Sequence, residues 1–135
     1  MFRKLLVICL VLGTVSTIAY GEIVKRLGGY NNEGATTSVA SNGAKAITYQ
    51  ISFASTDSID TLTVHLEGSL VSYTNSGYSN LDTDGATISI INPASSDSTF
   101  FIRYDGMMPY TRLYFDNIAG HSSPIVTVDY MLENN

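Results

Sequence analysis

His65 and His121 are the only imidazoles in the chain, and they bound the acid–base chemistry it could perform. Nucleophilic hydrolysis needs a base held beside the nucleophile, most often a histidine oriented by a carboxylate. His65 stands on the outward side of an alternating run and His121 in a loop beside Gly120, so both read as solvated surface residues. None of the serines sits in a Gly-x-Ser-x-Gly elbow. Two histidines without cysteine partners make a poor zinc site, and no glycine-rich loop leads into a helix that would cradle a phosphate. These residues predict a protein that is not an enzyme and carries no cofactor.

The carboxylates offer one metal pattern. Asn80, Asp82 and Asp84 place oxygen ligands at alternate positions ahead of Gly85, like the first half of a calcium loop. Ile91 stands where the closing acid belongs, so an Asp-Gly turn explains the same residues more simply and no metal is expected. Asp57 and Asp60 flank a second turn and could join such a site only in space. No pair of acids is marked out as the facing carboxylates of a glycosidase.

Aromatic and methionine residues remain. Tyr73 and Tyr78 lie in a polar stretch, while Tyr104, Tyr110 and Tyr114 surround Asp105-Gly106-Met107-Met108-Pro109. A tyrosine presents a flat apolar face with a polar tip, which suits a sugar ring or a protein surface. Met107 and Met108 suit an adaptable protein contact. Arg112 alternates with Thr111 and Leu113, which points it outward toward a carboxylate partner, in an exposed pair stabilising by less than ~1 kcal/mol. The expected ligand- or partner-binding set is therefore Tyr73, Tyr78, Met107, Met108, Tyr110 and Arg112. Several of these could instead plug the ends of the fold.

The elements that must position these residues are strands. Ile47, Tyr49, Ile51 and Phe53 alternate with polar residues; so do Leu62, Val64, Leu66 and Leu70, and again Val126, Val128, Tyr130 and Leu132. Strict period-2 alternation predicts strands with one face on a core and one in water. Residues 36–40, 78–81, 86–91, 99–104 and 111–115 are further strand candidates. Asn42-Gly43, Asp84-Gly85, Asn92-Pro93, Asp105-Gly106 and the stretch 120–124 separate the runs with residues that tolerate tight turns. About eight short strands predict an all-β, antiparallel β-sandwich. The chain lacks tryptophan, and its one cysteine is Cys9, which removes the disulfide-and-tryptophan core of an antibody domain and favours a jelly-roll-like order.

Composition agrees. The chain has 135 residues, a net charge of −5, 44% hydrophobic content and nine tyrosines, which excludes a disordered polymer and argues against nucleic acid as a partner. Residues 1–21 read as a signal peptide: Arg3 and Lys4 form a basic head, residues 5–19 an apolar stretch, and Ala19-Tyr20-Gly21 a small-residue cut site. The apolar run is short for a membrane span of ~20 residues, and an uncleaved membrane anchor is the alternative. Residues 22–45 read as a flexible leader or first strand, with Gly28 to Gly34 as polar, glycine-rich loop, and residues 46–135 as the sandwich domain.

Two stretches carry a resemblance. Leu66-Glu67-Gly68-Ser69-Leu70, followed after a loop by Tyr78-Ser79-Asn80-Leu81-Asp82, resembles a recurrent pattern in small bacteriophage structural proteins. Phe101-Ile102-Arg103-Tyr104-Asp105-Gly106 and Pro109-Tyr110-Thr111-Arg112-Leu113-Tyr114-Phe115 are similar to their late hairpin, with residues 120–124 as its turn and 125–132 as the closing strand. The resemblance spans roughly residues 46–132. It implies a β-sandwich of the decoration, tail or fibre type, without catalysis.

The expected function is thus a non-enzymatic structural protein of a virion surface or extracellular assembly, exported and held by self-association or by other virion or envelope proteins. The leader, adding a strand to a neighbour's sheet edge, is one expected means. The alternative is a secreted carbohydrate-binding or adhesion module with Tyr73, Tyr78 and Tyr110 as its platform for a surface glycan.

Overall fold

The computed structural model describes residues 23–54, 59–71, 77–81, 87–91, 98–106, 108–120 and 124–134. The segment read as a signal peptide or anchor lies outside them. The described residues form ten strands and no α-helix: β1 (Lys25–Tyr30), β2 (Gly34–Ala35), β3 (Val39–Ala40), β4 (Ala46–Phe53), β5 (Ile59–Ser69), β6 (Ser79–Asn80), β7 (Thr87–Ile91), β8 (Ser98–Tyr104), β9 (Tyr110–Gly120) and β10 (Val126–Glu133).

The expected all-β architecture of two antiparallel sheets is present. The first sheet runs β1-β10-β4-β8; in the second, β9 and β5 are central, flanked by β2 and β3 on one side and β6 and β7 on the other. The pairing is nested. β1 lies on β10, β2 and β3 on β9, β4 on β8, and β5 on β6 and β7. Early strands thus pair with late ones, as in a long hairpin, and the hairpin rolls up so that β10 also meets β4 and β9 meets β5.

Alternation in the sequence becomes the core. Ile47, Tyr49, Ile51 and Phe53 of β4 face Leu62, Val64 and Leu66 of β5, joined by Leu113 and Phe115 of β9 and Val126 and Val128 of β10. Each such side chain stabilises by roughly 1.5–3 kcal/mol when fully buried. Tyr49 is wholly buried, and its hydroxyl shares a 2.9 Å hydrogen bond with Thr111 Oγ1 of the opposite sheet. Burial pushes that hydroxyl well above the ordinary tyrosine range, with the Thr111 bond opposing part of the rise.

Several local readings change. Gly28 to Tyr30, read as loop, belongs to β1, which pairs with β10 and sends Leu27 and Tyr30 against the core. The polar, glycine-rich composition hid an edge strand, so residues 25–30 complete their own sheet. Of the run 36–40 only Val39–Ala40 is strand; between it and Gly34–Ala35 the Thr36 hydroxyl takes the place of ladder groups, accepting from the Leu113 amide and donating to the Thr37 carbonyl. β9 continues five residues past Phe115. Leu70, read as facing the core, is 76% exposed, since the chain turns away after Ser69, whose Oγ bonds both the amide and the carbonyl of Val71. The Asn42-Gly43 turn is as expected: both residues have positive φ, 49° and 80°, and the Ala44 amide closes it onto the Ser41 carbonyl.

Candidate functional site

The outward face of the second sheet carries the densest polar cluster among the described residues. β5 presents His65 and Glu67 there, and β9 presents Arg112, Tyr114 and Asp116. Register sets the contacts, because His65 lies directly opposite Tyr114 and Glu67 opposite Arg112. The Arg112 Nε donates to Glu67 Oε2 at 2.6 Å. The other Glu67 oxygen, Oε1, stands 3.4 Å from His65 Nε2. On its far side His65 Nδ1 lies 2.6 Å from Asp116 Oδ2, while the ring stacks on Tyr114 with centroids 5.4 Å apart.

A β-bulge brings Asp116 into this row. Val64 pairs with Phe115 but Thr63 with Asn117, leaving Asp116 as the extra residue. An inserted residue breaks the two-residue alternation. Phe115 therefore faces inward, Asp116 and Asn117 both lie toward the outer face, and Ile118 returns to the core.

Tyr78 closes the other end. Its ring covers the Arg112 guanidinium, with Cζ 3.9 Å from the ring centroid, and its hydroxyl shares a hydrogen bond with Ser38, between β2 and β3. Tyr78 thus crosses β9 from one side of the sheet to the other. This cover corrects the expectation of an exposed arginine: the Arg112 and Glu67 side chains are 9% and 13% exposed. His65, expected to be a solvated surface residue, is 15% exposed and wedged between two carboxylates. A desolvated pair of this kind is worth little net, yet losing one partner is expensive, because the survivor keeps a buried charge.

Of the six residues expected to bind a partner, the structure joins Tyr78 to Arg112. Tyr110 is half-buried at the start of β9, between Ala40 and Ser69. Met108 is half-buried over Gly68, where an added Cβ would come within 2.7 Å of its Cγ and 2.9 Å of a Leu81 methyl. It fills the place that the missing side chain leaves at the end of the core. Tyr73 and Met107 lie outside the described residues.

Asn80 is exposed on β6 opposite Glu67, whereas Asp82, Asp84, Asp57 and His121 lie outside the described residues. Asp60 sits at a register shift between β5 and β9. Among the described residues no group of three or more histidine, cysteine or acidic side chains is placed to hold a metal ion.

Glu67, His65, Tyr114 and Asp116 were absent from the expected site. The signal available for them was the alternation that puts Glu67 and Arg112 on the outer faces of two strands. It does not reveal that those strands are neighbours. Chemically, the row Asp116–His65–Glu67–Arg112–Tyr78 is an interlocked series in which acceptors and donors answer one another. It ties β5 to β9 and, through Tyr78 and Ser38, to the edge of the sheet.

No protein-family model matches the chain, and no curated protein matches it.

Proposed function

We propose that this chain is a non-enzymatic structural protein, exported and built into a virion surface or other extracellular assembly by self-association of its β-sandwich. The observation that carries the reading is the nested pairing of early strands with late ones. Counting β2 with β3 and β6 with β7 as single interrupted strands gives eight, in which each strand of the first half pairs with its counterpart of the second. This nesting supports the jelly-roll reading, a fold of viral capsid and lectin domains. It supports the resemblance to bacteriophage decoration, tail and fibre proteins.

Fold alone does not assign function, and the polar row supplies the second line of support. Both ring nitrogens of His65 face carboxylates, and the Arg112 charge is taken up by Glu67 and Tyr78. Side chains engaged in this way brace a sheet. The glycan-binding alternative needs the Tyr78 face for a sugar, but Arg112 already occupies one face of that ring and Ser38 its hydroxyl.

The test is mass spectrometry across a density gradient of the producing culture, reading the amino-terminal peptide along with position. Co-migration with particles or filaments is expected, with a terminus at Glu22 if residues 1–21 are removed on export. Recovery solely as a free monomer would overturn the reading.

A further inference from the structure

The first sheet ends in two very different edges. At one edge, β1 carries Lys25, Arg26 (bonded to Asp129 of β10) and two glycines, and its register shifts between Arg26 and Gly28. Charges, glycines and bulges are the features by which natural sheets refuse another strand. At the other edge, β8 pairs among the described residues with β4 alone, through seven consecutive partners from Tyr104 to Ser98 without a shift. Its sequence, STFFIRY, contains no proline, glycine or lysine.

Two side chains on its outward face add to the contrast. Phe101 is 61% exposed. Arg103, the strand's single charge, is drawn back onto its own molecule, with Nη2 2.9 Å from Asp105 and 2.6 Å from Glu133 of β10. An edge that is long and regular, with its one charge paired inside its own molecule, is a template for strand pairing.

From this we infer that β8 is the self-association edge, pairing antiparallel with β8 of a second copy about a two-fold axis at Phe101. The inference deepens the assembly reading and rests on it. The strand is self-complementary in this register. Phe101 meets its own counterpart, Thr99 stands opposite Arg103 so that no like charges face each other, and Phe100 stands opposite Ile102 on the inner side. Cross-strand aromatic pairs and the absence of opposed like charges both favour such a ladder. The two four-stranded sheets then continue as one eight-stranded sheet. Because the contact is isologous it closes at two copies, making the dimer the unit that enters the assembly.

The experiment compares sedimentation of the full chain, as recovered from its producing culture, with Phe101→Lys and Leu70→Lys variants whose circular dichroism matches the parent. Wild type is expected to dimerise. Phe101→Lys, which sets two ammonium groups face to face, should raise the dissociation constant at least tenfold, while Leu70→Lys leaves it unchanged. In a Cys9→Ser background, Phe101→Cys should cross-link between copies with a short bis-maleimide and Leu70→Cys should not. A dimer or particle indifferent to Phe101→Lys, with no Phe101→Cys cross-link, overturns the edge assignment and leaves the assembly reading standing. A wild type that is monomeric at every concentration and absent from particles overturns both.

Discussion

The Tyr49 hydroxyl and Thr111 Oγ1, 2.9 Å apart, join the two sheets through the interior of the sandwich. Each is the other's answer to burial, because an unpaired hydroxyl in an apolar core costs about 1–3 kcal/mol. Tyr49→Phe should therefore lower unfolding free energy by an amount in that range, and Thr111→Val likewise. The double variant should lose less than the sum of the two, since no orphaned hydroxyl remains. Urea denaturation of the four proteins measures the coupling.

The same residue gives an alkaline signature. Burial holds the folded-state pKa of Tyr49 above its unfolded value, so the folded state keeps a proton that the unfolded state releases. The stability this provides is complete below about pH 10, where an unfolded tyrosine ionises, and falls as pH rises beyond it. Denaturant midpoints should decline above that pH, and the decline should be shallower in Tyr49→Phe. Absorbance titration should show one tyrosine ionising only together with unfolding.

Arg112 and Glu67 should behave as a unit. Arg112→Ala leaves Glu67 largely buried beside His65 without the Nε–H that Oε2 accepts, and a loss of about 3–5 kcal/mol is expected. Pairing Arg112→Met with Glu67→Gln removes both charges and should recover most of that loss. Thermal unfolding of the single and double variants decides the point; equal losses in all of them would mean the row does not act as a pair.

Gly68 is an inward-facing position whose space belongs to Met108 and Leu81. Gly68→Val should displace both and cost about 1–3 kcal/mol, as overpacking of a finished core does. A second change, Met108→Ala, opens the space and should restore part of the loss.

The legible part of this fold was its centre. β4, β5 and β10 alternate strictly because one face of each lies on the core, and Asn42-Gly43 gave its turn away through residue type. Edges and irregularities were harder. β1 is mostly charges and glycines, so nothing in its pattern marks a strand. Judged by period 2, β9 stops at Phe115, because the bulge at Asp116 puts Ile118 out of phase. The polar row was hidden for a different reason. Glu67 and Arg112 are 45 residues apart, and His65 and Asp116 are 51, so their meeting depends on which strands are neighbours, a property of the whole sheet. Arg112 was read as solvated because its cover, Tyr78, arrives from another element.

The pairing of Lys25 with Tyr130 and of Tyr30 with Val126 also governs when the molecule can form. A nascent chain lacking β10 has no partner for its first strand and no bridge between that strand and β4. The first sheet therefore closes only after the final strand has left the ribosome, and such sequence-distant contacts make for slow folding. Until then that sheet stays open, and it locks when β1 meets β10.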